Sequence, residues 1–439
     1  MTTVRHPVDT PLPPAQLGVL GLQHVLVMYL GCVTVPLVFG AAAGLDTETV
    51  GLLINADLLV AGVVTLVQSL GVGRVLGVRL PVVVGATFTA VSPMILIAQQ
   101  YGLAAVYGSM IAAGVFGLLV AVPFSRALRF FPPLVSGVVI TVVGLSLIGV
   151  AAGLIAGNDP AAPDYAALPN LGLAGGILLL VVLLTRFATG FLAQVAVLLS
   201  LVAGTLAAIP MGLTDFSGVG GAAWVGISAP LHFGPPEFPV AAVVSMCVVM
   251  LVTFTESTAD MLAVGELTGK ELSRADLARG MAADGVSAVL GGFMNAFVDT
   301  VFAQNVGLIG MTGVRSRYVA ASAGGILVLL GLVPKLGQVV AALPGPVVGA
   351  AGLVMFAMVA SVGVRTLGKV QYDGTKNLFI VAVAVGIGMV PVVAPGFYRG
   401  FPGWAQVVLG SAITSATLAA FVLNLVFNHT KRAAAAPVD

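Results

Sequence analysis

Two short stretches of this sequence hold side chains able to do chemistry, in a chain that is otherwise mostly hydrocarbon. In TFTESTADMLAVGE, Thr253 to Glu266, Glu256 and Asp260 stand four residues apart, so a helix stacks them on one face, a turn from each other. Two carboxyls that close in a low dielectric cannot both ionise cheaply, and the pair is expected to hold a proton near neutral pH. In AQNVGLIGMTG, Ala303 to Gly313, the amides Gln304 and Asn305 are adjacent and are followed by Gly307, Gly310 and Gly313. The Gln304 carboxamide carries an acceptor oxygen and two donor hydrogens in one plane. It can meet a planar lactam ring of alternating N–H and C=O groups in bidentate fashion, while Glu256 accepts from a further ring N–H. That set of donors and acceptors fits a nucleobase better than a sugar, an amino acid or a bare anion. Asn305 points elsewhere on a helix and is expected to tie its element to its neighbours. Phe88 and Phe302 offer faces for stacking on a flat heterocycle. The three glycines are expected to let neighbouring helices come close.

Asp57, Asp284 and Asp299 are the other acids within apolar segments, and no basic residue stands in the middle of those segments to pair with them. An unpaired carboxylate in hydrocarbon costs a few kcal/mol, so function is the default explanation for such groups. Asp284, in MAADGVSAVLGG, reads as lying in the first turn of its helix, where an acid also complements the dipole; proton linkage and structural support both stay open. Asp57 and Asp299 read as structural or interfacial. His24, in the Gln23-His24 pair, is expected to hydrogen-bond toward the helix that carries Glu256.

The elements that position these groups are membrane spans. The chain has 439 residues, 59% hydrophobic and 8% charged, against roughly 25% charged in a soluble domain. Apolar segments, each long enough to cross about 30 Å of hydrocarbon, fall at 17–39, 49–70, 81–98, 105–124, 131–153, 171–189 and 191–212, and again at 238–264, 277–296, 300–313, 318–335, 343–362, 376–394 and 403–428. Positive charge in short loops marks the cytoplasmic side. With the N-terminus inside, Arg5, Arg74, Arg79, Arg126, Arg129, Arg186, Lys270, Arg274, Arg279, Arg315, Arg317, Arg365, Lys369, Lys376, Lys431 and Arg432 fall inside; of the 18 basic residues only Lys335 and Arg399 fall outside. The expected topology is therefore fourteen crossings of a cytoplasmic (inner) membrane with both termini cytoplasmic. Residues 1–16 are a Pro-rich polar segment without the pattern of a signal peptide, and residues 429–439 read as a cytoplasmic tail. Cys32 and Cys247 lie within spans and read as small packed hydrophobes rather than a disulfide. A net charge of +1 with no long basic run gives no reason to expect nucleic acid as a partner.

The fifth span opens on Pro132-Pro133-Leu134-Val135-Ser136-Gly137 and the twelfth on Pro344-Gly345-Pro346-Val347-Val348-Gly349. Seven spans separate these copies, so one is inverted in the membrane relative to the other, the signature of transporters that place substrate between two halves. The third and tenth spans read badly as continuous helices: Leu80 to Met94 has a β-branched start, Gly85 and Pro93, and Asp299 to Gly313 is short. Each is expected to be a short strand feeding a half-helix, which survives at membrane depth only where it lines a cavity or is buried in protein.

Gln304-Asn305-Val306-Gly307 through Thr312-Gly313 resembles the signature of the nucleobase-ascorbate (nucleobase:cation symporter-2) transporters: Gln or Glu, Asn, any residue, Gly, four of any, Thr, then Arg, Lys or Gly. GLQHVLVMY, RLPVVVGATFTAV, RFFPPLVSGVVI and ESTADMLAVGE are also similar to that family, over roughly residues 17–428. The resemblance implies an all-α polytopic membrane protein with a seven-plus-seven inverted repeat. Its core domain would comprise residues 17–124 and 238–335, and its gate domain residues 125–212 and 343–428, through which copies often dimerise. It implies substrate binding by Glu256 and Gln304, backbone contacts at Phe88 and Ala303, and ring stacking near Phe302. Asp260 and Asp284 match positions linked to proton coupling or helix support. Gln304 and Asp260 are similar to the xanthine and uric acid permease branch, and Thr89 resembles urate-accepting members. The resemblance implies no bound cofactor but a co-transported proton, on which the family's members mostly run, though some vertebrate ascorbate carriers use sodium. Val298 and Asp299 depart from the family pattern, which usually carries a Pro and an uncharged residue there.

An anion exchanger of the sulfate-permease type shares this architecture, but would want a basic residue or bare helix N-termini where this chain puts Glu256. No Ser/His or paired-Asp catalytic motif, metal-ligand cluster or Gly-rich phosphate loop stands out, so neither an enzyme nor a metal site is expected.

Overall fold

A computed structural model describes residues 6–157 and 161–429. Arg5, Lys431, Arg432 and the tail from residue 430 onward lie outside the described residues. The first half runs α1 (Pro14–Ala43), α2 (Thr47–Leu70), β1 (Val84–Ala86), α3 (Val91–Tyr101), α4 (Leu103–Ala127), α5 (Pro133–Ala156), α6 (Leu168–Phe187), α7 (Phe191–Gln194) and α8 (Ala196–Ala208). The second runs α9 (Val240–Thr268), α10 (Arg274–Met294), β2 (Asp299–Val301), α11 (Ala303–Thr312), α12 (Arg317–Gly331), α13 (Pro334–Ala341), α14 (Gly345–Leu367), α15 (Asn377–Val393), α16 (Gly403–Gly410) and α17 (Ala412–Asn424). Among the described residues, 8 helices are long and apolar enough to cross a membrane, or up to 9 if α12 and α13, bent by 82°, are one span.

Local chemistry sets several ends. Asp46 caps α2 by accepting from the Thr49 amide at 2.7 Å, and the Thr49 amide and hydroxyl hold its carboxyl below the usual carboxylate range. Ser273 and Asp276 form a reciprocal capping box at the start of α10. That start corrects the position expected for Asp284. The first-turn acid is Asp276, and Asp284 lies well inside the helix, so the dipole does not account for it.

Three apolar segments that read as single spans are interrupted. The helix breaks at Val195 between α7 and α8, at Ser411 between α16 and α17, and bends between α12 and α13. The Ser411 hydroxyl accepts from the Thr414 amide at 3.2 Å and so caps the second piece.

The packing repeats itself in the way an inverted repeat requires. α12 lies on α2 as α4 lies on α10; α1 meets α12 as α9 meets α4; α15 packs on α17 as α6 packs on α8. α5 and α14 are each other's counterparts and pack together. There a Cβ on Gly137 would meet the Leu367 side chain, and one on Gly349 would meet Ile155. The shift along the chain that relates Gly137 to Gly349 also relates Ile155 to Leu367, so one contact is made twice. The helices α1–α4 pack mainly with α9–α13, and α5–α8 mainly with α14, α15 and α17.

Small residues allow these approaches, as expected where apolar burial alone does not drive helix association. They are not the glycines of α11. Nothing lies within 4 Å of a Cβ added to Gly307, a Cβ on Gly310 would make only ordinary contact with Leu267, and Gly313, at φ +67°, ends its helix in the left-handed region. Close approaches include Gly62 with Gly324 and Gly114 with Gly285, where an added Cβ would come within 2.6 to 3.2 Å of the partner helix's backbone. Gly62→Ala is therefore expected to cost about 1–3 kcal/mol, seen as a lower melting temperature of the purified protein, while Gly307→Ala melts no earlier than the parent.

Candidate functional site

Two three-residue strands cross in the middle of the chain's packing. β1 and β2 pair antiparallel, Val84 with Val301, Gly85 with Thr300 and Ala86 with Asp299, and all six residues are buried. The β-branched run Val82-Val83-Val84 and the pair Thr300-Val301 favour extended backbone. The ladder extends on both sides, the Phe302 amide donating to the Val83 carbonyl at 3.0 Å and the Thr87 amide to the Val298 carbonyl at 2.8 Å. Strands this short leave outer edges that must find partners. The Val84 amide donates to the Thr65 hydroxyl of α2 at 3.1 Å, and the Val301 amide to the Ser257 hydroxyl of α9 at 3.2 Å.

Each strand runs directly into a helix. After β1, Thr87 caps a single turn of 3-10 helix, Phe88 to Ala90, by accepting from the Thr89 amide at 3.2 Å, and α3 follows. Pro93 sits at the third position of α3, where a missing amide hydrogen costs nothing. After β2, α11 starts at Ala303 with no side-chain cap. Its first amides therefore present a partial positive charge to whatever lies in front of them.

Glu256 of α9 reaches this junction. Its carboxylate accepts from the Thr89 hydroxyl at 2.6 Å and from the Thr87 hydroxyl at 3.2 Å, and the residue is half-buried. Both oxygens are thus held while one face stays open. Sequence reasoning named Thr89 and missed Thr87. The second hydroxyl was present in ATFT, but it is the 3-10 turn capped by Thr87 that brings both threonines to one carboxylate.

The other expected site residues divide. Ala303 is exposed and Gln304 half-buried at the head of α11, and no hydrogen bond joins the Gln304 side chain to any described residue. Asn305 is buried, and its amide nitrogen lies 2.9 Å from His24 Nδ1 and donates to the His24 carbonyl at 3.0 Å. His24 thus faces α11, not α9 as the sequence suggested. The Phe302 ring is buried, its edge lying where a Cβ on Gly31 or Gly85 would stand. Phe88 packs edge-on against Phe356 of α14, ring centres 5.2 Å apart. Asp260 is half-buried one turn from Glu256. Asp284 is buried within α10 and accepts from Gln68 Nε2 at 3.0 Å. Cys32 is more than a packed hydrophobe, since its thiol donates to Asp57 at 2.8 Å; both cysteines are free.

A carboxylate anchored at one helix start, with an unbonded carboxamide at the head of the other, supplies the donors and acceptors that a small polar ligand would need. A family model described as "Permease family" matches residues 15–397. The chain belongs to the nucleobase-ascorbate transporter family. This permease is 45% identical over 424 residues to the uric acid transporter UacT of Escherichia coli (strain K12), covering 96% of this chain and 88% of that one. It is 40% identical to the xanthine permease of Bacillus subtilis (strain 168), covering 94% of each. Its fold is similar to the transmembrane domain of the cyanobacterial bicarbonate transporter BicA, with TM-score 0.61 at 15% identity over 94% of this chain and 98% of that one. It is also similar to murine Solute Carrier 26 family member A9, an anion transporter, with TM-score 0.65 at 12% identity over 95% and 69%. At those identities the likeness concerns the fold alone. The permease is an integral membrane protein built on the seven-plus-seven fold that these transporters share.

Proposed function

We propose that this permease is a secondary active transporter that carries a purine base, xanthine and/or uric acid, with a proton across the cytoplasmic (inner) membrane by alternating access. The reading takes fourteen spans with both termini cytoplasmic. The core domain (17–124 and 238–335) moves against the gate domain (125–212 and 343–428), and copies dimerise through the gate. The observation that carries it is the half-buried Glu256 carboxylate, held by Thr87 and Thr89 at the turn that follows β1; the uncapped start of α11 follows the paired strand.

A neutral purine lactam donates a ring N–H to Glu256 and meets the Gln304 carboxamide with a second N–H and C=O pair. The backbone amides at Phe88 and Ala303 take its remaining carbonyl oxygens. Phe88, packed on α14 of the gate, closes one side of the ring, and Phe302 backs the site from behind. A proton on the Glu256 and Asp260 pair removes the charge that makes crossing costly. Asp284 and the His24–Asn305 tie support the moving elements. Uracil or another nucleobase is the nearest alternative cargo. The bare start of α11 favours, as a second reading, an anion carrier of the sulfate-permease kind, against which the Glu256 charge argues.

Proteoliposomes given an inward proton gradient are expected to accumulate labelled xanthine, and a protonophore to abolish the accumulation. Unlabelled urate competes more strongly than uracil, and sulfate and bicarbonate do not compete. Uptake indifferent to the protonophore would sink the coupling, and inhibition by sulfate but not by urate would favour the anion carrier.

A further inference from the structure

We propose that Asp57 and Asp299, one acid from each half of the chain, form a second proton-binding site behind the strand crossing, occupied in this conformation and separate from the Glu256 site. Asp57 on α2 is 1% exposed and Asp299 on β2 is 0% exposed. One oxygen of each is satisfied: Asp57 Oδ2 accepts from the Cys32 thiol at 2.8 Å, and Asp299 Oδ2 from the Ser287 hydroxyl at 2.8 Å. The other oxygen of each, Oδ1, is buried without a hydrogen-bond partner among the described residues. The Phe297 amide approaches Asp57 without completing a bond to that oxygen.

These groups form one cluster. The Cys32 thiol lies within electrostatic reach of both acids, and its sulfur is 3.4 Å from the place a Cβ on Gly85 would take, against the β1–β2 crossing. The other titratable groups facing the pair are Tyr29 of α1, beside Cys32, Tyr107 of α4, within reach of Asp57, and Asp284 of α10, within reach of Asp299. None carries a positive charge. Neither acid has a lysine, arginine or histidine in ion-pair contact among the described residues, where the ion pairs are Arg279–Asp276 and Arg317–Asp9. Nor is there among them a group of three His, Cys, Asp or Glu that could hold a metal ion.

A buried carboxylate without cation, metal or donor for one oxygen is costly enough that neutralisation is the usual outcome. A proton on the unpaired Oδ1 supplies the neutrality, leaving Oδ2 to accept from the thiol or the hydroxyl. Glu256 differs in both respects: each of its oxygens has a hydroxyl donor, and it is half-open. Two carboxylates behind the crossing would repel each other across the strands that aim α3 and α11 at the site. Loss of the protons is therefore expected to loosen the crossing and set an alkaline limit on the folded protein.

The test uses the purified full-length protein. At neutral pH its infrared spectrum should show the C=O stretch of protonated carboxylic acid, reduced in Asp57→Asn and in Asp299→Asn but persisting in Glu256→Gln. The melting temperature of the parent should fall as pH rises, because the unfolded chain releases protons that the native pair must keep. The Asn variants should lose part of that slope. A band undiminished in both variants, or a pH slope identical in parent and variants, overturns the site. Should neither variant fold, a Glu256→Gln, Asp260→Asn, Asp284→Asn triple variant decides: the band persists if the pair holds protons, and its disappearance overturns the proposal. Neither readout measures transport, so failure here is distinguishable from failure of the transport reading.

Discussion

Glu256→Gln is expected to reduce proton-driven purine uptake by about a hundredfold or more, the loss that follows from removing a charge-assisted hydrogen bond of about 1.5–3 kcal/mol together with the proton that accompanies it. The substitution keeps the shape of the side chain, which makes it informative. Thr89 and Thr87 now donate to the two carboxylate oxygens at 2.6 and 3.2 Å. An amide offers one oxygen and one NH2, so one hydroxyl must turn away or reverse its bond. The base then loses the carboxylate that Thr87 and Thr89 hold, and the site can no longer take up and release a proton there. Xanthine binding measured by calorimetry should weaken in parallel with uptake, and what uptake remains should lose its dependence on the proton gradient. A Glu256→Gln protein that still accumulates xanthine against a gradient, with an unchanged response to pH, would remove Glu256 from the mechanism.

How much of this was legible in the sequence depends on what each feature needed. Span positions follow from apolar length, which the membrane dictates residue by residue, and most helices begin and end within a few residues of the expected breaks. The relation of the two halves was visible at Pro132 and Pro344 because both copies begin on the same proline-rich corner. The breaks at Val195 and Ser411 were not visible, since hydrophobic flanks continue through them and only packing decides where such a helix yields. The glycines that matter were hidden for a related reason. Gly62 and Gly324 resemble the many other glycines of the chain until the partner backbone is seen opposite, whereas those of α11 stood out beside two amides and face at most an ordinary contact with Leu267. His24 was assigned the wrong neighbour because sequence gives no distance between spans. Asp57 and Asp299 read as structural or interfacial acids; only folding brings them to the back of one strand crossing, each with an oxygen left without a partner among the described residues.

Gln304→Glu and Asn305→Ala should fail in different ways although the residues are adjacent. The Gln304 side chain makes no hydrogen bond within the described protein and stands half-buried at the head of α11, so its donors and acceptor are free for a ligand. Replacing it with a carboxylate removes the two donors and leaves an acceptor-only group. The helix start tolerates that charge, because an anion there is favourably placed against the dipole, and the fold should be kept. The relative inhibition of labelled-xanthine uptake by urate, guanine, hypoxanthine and uracil should shift by about tenfold or more, the effect of one unmatched buried hydrogen bond. Asn305 is 1% exposed, and its amide nitrogen is bonded to both the ring and the carbonyl of His24. Truncation leaves those partners unsatisfied and unties α11 from α1, at about 1–3 kcal/mol. The expected result is a lower melting temperature and slower turnover with the order of base preference intact. If both substitutions reorder the competing bases to the same extent, the division between a recognition amide and an anchoring amide is wrong, and Asn305 must itself face the base.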